Sequence, residues 1–139
     1  MSGKKLVVYF NQIPIKPIQG KAKYNIYNVA EGNKSIVAEE FQALDDETKV
    51  KIKALIMNMA TIDNFKSPQI RYNLRGYNYG EIRPKPHRFF FFQKCGNNFI
   101  FFYYILKKTN TLSDKIYKSI NIKKEKYEKE FEEFIKKLQ

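Results

Sequence analysis

One cysteine, one histidine and no apolar run near the roughly 20 residues that a membrane-spanning helix requires set the first bounds on this chain. The lone Cys95 excludes an intramolecular disulfide. It adjoins Gly96 with no histidine or acidic neighbour in sequence, so it reads as an incidental thiol rather than a nucleophile, and a reducing compartment fits it. The apolar segment in the N-terminal MSGKKLVVYFN is too short for a signal peptide. A cytoplasmic protein with no membrane partner is therefore expected. At 139 residues, one domain over residues 1–139 suffices, long enough to close a core without disulfides.

What the chain does have is charge of one sign. A formal net charge of +12 attracts phosphate polymers, acidic proteins or anionic surfaces, which names a class of partner but no single one.

The organising stretch is residues 79–108, YGEIRPKPHRFFFFQKCGNNFIFFYYILKK. Its two aromatic and β-branched runs, Phe89 to Phe92 and Phe99 to Leu106, are too short for helices and are split by Gly96-Asn97-Asn98, a hairpin signature. Arg83, Lys85, His87 and Arg88 precede the first run, and Lys107 with Lys108 closes the second. Antiparallel pairing returns these groups to one end of the hairpin, giving an apolar sheet a cationic rim. Pro84 and Pro86 forbid continuous ladder pairing just before Arg88, and an irregular segment is expected there.

Around this hairpin the chain reads in order. Lys5 to Asn11 and Tyr24 to Val29 predict two strands, an N-terminal extension over 1–33 that can add a hairpin to a sheet edge. Helical spacing from Ser35, a break at Asp45-Asp46 and a second stripe through Ile52, Leu55 and Met59 predict a helix hairpin over 34–62. Antiparallel strands follow over 69–108. Thr111 or Ser113 caps a last amphipathic helix over 112–138, with Ile116, Ile120, Tyr127 and Phe131 on its stripe. The expected class is α+β, an antiparallel meander sheet with the helices segregated to one side.

In this order, EEFQALDDETKVKIKAL, YNLRGYNYGEIR, HRFFFF, the apolar strand closing in LKKT and the helix containing IYKSI resemble the RelE/HigB-like toxins of type II toxin–antitoxin systems, in particular a phage-derived HigB-like branch. The resemblance covers about Ser35 to Tyr127. It implies a RelE-like fold and a cytoplasmic endoribonuclease that cleaves mRNA, typically on the ribosome. It also implies no metal or cofactor, and neutralisation by an acidic or helix-turn-helix antitoxin. Carried over residue by residue, the family's working groups fall on Arg88, on Arg83, on Lys107 with Lys108, and on Tyr117. Glu81 stands where ribosome-dependent members carry lysines, so the resemblance does not name the general base. The N-terminal extension and the lysine-rich last helix lie outside the family pattern.

Metal-free RNA cleavage needs a group that takes the proton of the 2′-hydroxyl, a stabiliser of the phosphorane and a group that protonates the leaving 5′-oxygen. Arginine suits the second task, since its planar fork binds two phosphoryl oxygens without losing charge; Arg88 is assigned it, with Arg83 in support. Glu81 can accept a proton, although neighbouring cations are expected to hold its pKa down, and Lys107 or Lys108 are rival candidates. His87 is a candidate acid, but strand alternation turns it away from the face of Arg88. Lys85 and Arg75 are candidate RNA contacts, and Tyr79, Tyr103 and Tyr104 can stack on bases. Two other readings remain open: a gyrase-inhibiting toxin of the ParE-like kind, and an inactive homologue that binds RNA.

Overall fold

Four consecutive phenylalanines on one strand force the architecture. In an extended strand Phe89 and Phe91 point to one face and Phe90 and Phe92 to the other, so both faces of the sheet must be covered. The computed structural model, which describes residues 7–16, 20–107 and 112–138, shows how. Strands β1 (Val8–Ile13) and β2 (Asn25–Glu31) precede helices α1 (Ile36–Gln42) and α2 (Asp46–Thr61). Then come β3 (Ile70–Arg71), a short 3-10 turn at Leu74–Gly76, β4 (Gly80–Ile82), β5 (His87–Lys94), β6 (Asn98–Leu106) and α3 (Asp114–Leu138).

The class is α+β, with six strands in the order β1-β2-β6-β5-β4-β3. The strands from β3 to β6 pair antiparallel in sequence order, and the β1–β2 hairpin joins their free edge through β6. That junction departs from expectation, because β2 runs parallel to β6 and the sheet is mixed rather than antiparallel throughout. The helix pair and three strands intervene between β2 and β6, a connection long enough to permit parallel pairing.

The helices are not segregated to one side. Val37, Ile52, Leu55 and Met59 of α1 and α2 pack with Ile82, Phe89, Phe91, Phe99 and Phe101 on one face. Tyr117, Ile120, Tyr127 and Phe131 of α3 pack with Phe90, Phe92, Ile100 and Phe102 on the other. The cause is the aromatic run itself: all four phenylalanines are buried, and a sheet apolar on both faces cannot leave one to water. Between Phe90 and Phe91 the β5–β6 register shifts, and the extra residue lets Phe102 and Tyr103 both serve the α3 face.

Local signals explain the ends of the elements. The Ser35 hydroxyl accepts from the Ala38 N–H at 3.2 Å and caps α1, and the Ser113 hydroxyl accepts from the Ile116 N–H at 3.3 Å at the start of α3. The alternative cap, Thr111, lies outside the described residues, as do Lys5 and Lys108. Cys95 and Gly96, both with positive φ, make the β5–β6 turn, and Cys95 is exposed. No helix among the described residues is long and apolar enough to cross a membrane.

Candidate functional site

Strand pairing brings the charged groups together. In β4, Glu81 lies opposite Phe90 of β5 on one side and Arg71 of β3 on the other, so all three share the face covered by α3. Arg88, two residues before Phe90, faces the same way. The Glu81 side chain is 0% exposed, that of Arg88 4% and that of Arg83 13%. Arg88 Nη1 stands 3.5 Å and Arg83 Nε 3.8 Å from the same oxygen, Glu81 Oε1. Both separations are long for charge-assisted hydrogen bonds.

Two atoms at this cluster are buried without a hydrogen-bond partner, the acceptor Glu81 Oε2 and the donor Arg83 Nη1. Native structures hold few such atoms, and each is a place where another group can be received. Burial raises the Glu81 pKa above its ordinary 4.5, against the opposing pull of Arg88, Arg83 and Arg71. This reverses the expectation that neighbouring cations keep it low: desolvation is the larger effect here.

Around this centre stand the other groups. The Arg75 guanidinium lies over the Tyr117 ring, 5.4 Å from its centroid, and its Nε is 3.5 Å from Asp114 Oδ1 at the start of α3. Arg75 holds a left-handed backbone, φ 52°, a conformation that costs a non-glycine residue about 1 kcal/mol or more. Tyr117 is buried, and its carbonyl accepts the Tyr79 hydroxyl at 2.8 Å. Lys107 lies just past β6, and its backbone N–H donates to the Pro86 carbonyl at 2.8 Å, which sets it beside the segment carrying Arg83 and Arg88.

An open cleft at the end of the sheet meets this cluster at Arg83 alone. Thr48, Lys51, Pro68, Gln69, Arg83, Pro84 and Lys85 line about 440 Å³ with three cations and no carboxylate. Arg83 belongs to both places, lining the cleft and touching the buried Glu81. A more apolar cavity of about 420 Å³ lies between the helix hairpin and the sheet, among Phe41, Ile52, Phe89 and Phe101, with Lys53 as its one charged lining residue.

The structure therefore unites Arg83, Arg88, Glu81, Arg75 and Tyr117, sets Lys85 on the adjoining cleft, and corrects three assignments. Arg88 is buried against Glu81 and does not present its fork to solvent, because α3 covers the face onto which alternation turns it. Tyr79 is 2% exposed, stacked on Tyr77 and edge-on to Phe90, so it is spent in the core and offers no ring to a base. Tyr104 is likewise buried, against Phe89. His87 sits on the opposite face, as alternation predicts, with Nδ1 2.7 Å from the Tyr104 hydroxyl.

Sequence reasoning missed Arg71 and Lys51. Arg71 was legible in principle, since Ile70-Arg71 alternates with one apolar residue inward, but its strand is too short to announce itself. Lys51 looks like any solvated lysine on α2; only the packing of α2 beside Pro68 and Lys85 makes it a cleft residue. Compared with family models, curated proteins and solved structures, the chain finds no match in any of the three.

Proposed function

We propose that the chain is the ribonuclease component of a toxin–antitoxin pair. In this reading the strands from β3 to β6, the α1–α2 hairpin and α3 form a RelE/HigB-like unit, and β1–β2 is an addition to it. The observation that carries the reading is Arg83, which lines an open basic cleft and also contacts a buried carboxylate whose second oxygen has no partner.

Single-stranded RNA lies along Lys51, Lys85 and Arg83, whose charges attract its phosphates. The 2′-oxygen attacks the adjacent phosphorus and gives its proton to Glu81, whose raised pKa makes it a better base than an exposed carboxylate. Arg83, with Arg71 behind it, stabilises the phosphorane. The bond from phosphorus to the 5′-oxygen breaks, and that oxygen takes a proton from Lys107 or water. The products are a 2′,3′-cyclic phosphate and a free 5′-hydroxyl. Arg88 acts as a positioning residue that holds Glu81.

Purified protein incubated with translating ribosomes and mRNA is expected to yield those ends, and Arg83→Ala to lose about two to three orders of magnitude in rate. Expression without a neutralising partner is expected to arrest growth. Inhibited DNA supercoiling with no RNA product would instead mark a gyrase-directed toxin. A second reading, RNA binding without cleavage, is favoured by the complete burial of Glu81. Stable RNA complexes with intact RNA and harmless expression would establish it.

A further inference from the structure

The two edges of the sheet are built very differently. At one edge β3 is only two residues long, with Pro68 just before it and the 3-10 turn just after, which leaves little backbone to pair with anything. At the other edge β1 offers six residues, VYFNQI, with no charge, no proline and no register shift against β2. Sheet proteins normally blunt such edges with lysine, proline or a bulge.

The register tells which groups are open. The Gly32 N–H donates to the Val7 carbonyl at 2.8 Å, so Val7 and Gly32 form a hydrogen-bonded pair. By alternation Tyr9, Asn11 and Ile13 also turn their backbone groups toward β2. Val8, Phe10 and Gln12 are left with N–H and C=O groups directed outward, and no described strand pairs with them. Tyr9 and Val7, at 50% and 59% exposure, stand beside this ladder as apolar contacts.

We infer that β1 receives an extended segment of an acidic protein partner as a seventh strand. Charge selects this occupant over a second copy of the chain. In sequence, Lys4 and Lys5 precede β1 and Lys16 follows it, so the segment is flanked by cations on both sides. With a net charge of +12 on each copy, self-pairing is opposed, while a strand with carboxylates flanking a β-branched centre is drawn in. The inference rests on the edge of β1 alone and stands whatever the arginine cluster does.

The test uses the full chain, labelled with ¹⁵N, and two synthetic ten-residue peptides of alternating valine and threonine, one flanked by glutamates and one by lysines. The glutamate peptide is expected to shift the amide signals of Val8, Phe10 and Gln12 and slow their hydrogen exchange. Gln12→Pro, which removes an outward donor and spares the β1–β2 ladder, is expected to weaken binding about tenfold, the loss of one hydrogen bond. Methylating alternate amides of the peptide should abolish binding by the unmodified protein, a control that needs no variant to fold. Unchanged β1 amides, equal binding of the two peptides, or a dimer of the chain that Gln12→Pro dissolves would each overturn the inference.

Discussion

The two faces of β4 and β5 differ in what they bury. Toward α1 and α2 the strands bury Ile82, Phe89 and Phe91, with His87 half-buried at the start of β5. Toward α3 the same strands present Tyr79, Phe90 and Phe92 together with Glu81 and Arg88. Helices cover both faces, yet the buried ion cluster of Glu81 and Arg88 with Arg83 lies on only one, and it leaves an oxygen and a nitrogen unsatisfied. The α3 face gives up packing for an electrostatic arrangement. Stability alone does not ask for this, since buried ion pairs rarely outperform apolar residues of the same volume.

Substitutions on the two faces should separate these roles. Arg88→Ala leaves Glu81 without its nearest cation and is expected to cost about 3–5 kcal/mol in urea unfolding. The paired replacement Arg88→Met with Glu81→Leu should recover most of that loss. If the pair is no more stable than the single variant, the face is not built as described. Gly80→Ala comes next, since a Cβ there overlaps the Arg71 carbonyl and the Phe91 ring. A destabilisation of about 1–3 kcal/mol is expected by calorimetry. On the other face, His87→Phe removes the bond to the Tyr104 hydroxyl and should cost only about 1 kcal/mol.

The smallest effect is in pH. The folded-state pKa of Glu81 is raised above 4.5, so its contribution to stability is complete below that pH and is lost as pH rises through the folded value. The lowered carboxyls of Glu31, Asp63 and Glu132 act in the opposite sense, so the informative quantity is wild type minus Glu81→Gln. That difference should fall as pH rises from 4.5. A flat difference would place Glu81 in a solvated setting.

Periodicity in the sequence carries much of this fold. Two short apolar runs split by a polar turn located the β5–β6 hairpin, helical stripes located α2 and α3, and strand parity already turned His87 away from Arg88. The parallel β2–β6 pairing was not legible, because it joins segments about seventy residues apart and no local signal selects an edge. The burial of Arg88 and Glu81 was hidden for a related reason. An amphipathic stripe shows that α3 has an apolar face, but not which face of the sheet receives it. Once α3 takes the side of Phe90, the expected open rim becomes a covered ion pair, and access passes to Arg83, Lys51 and Lys85.

The central claim is that Glu81, reached through Arg83, takes the proton in an RNA cleavage. Single-turnover cleavage by Glu81→Gln, measured beside its RNA affinity, tests this most directly. The account predicts a rate lower by about two to four orders of magnitude with affinity within a few fold of wild type, because a general base acts in the transition state. Undiminished cleavage by Glu81→Gln, or a loss confined to affinity, would contradict it.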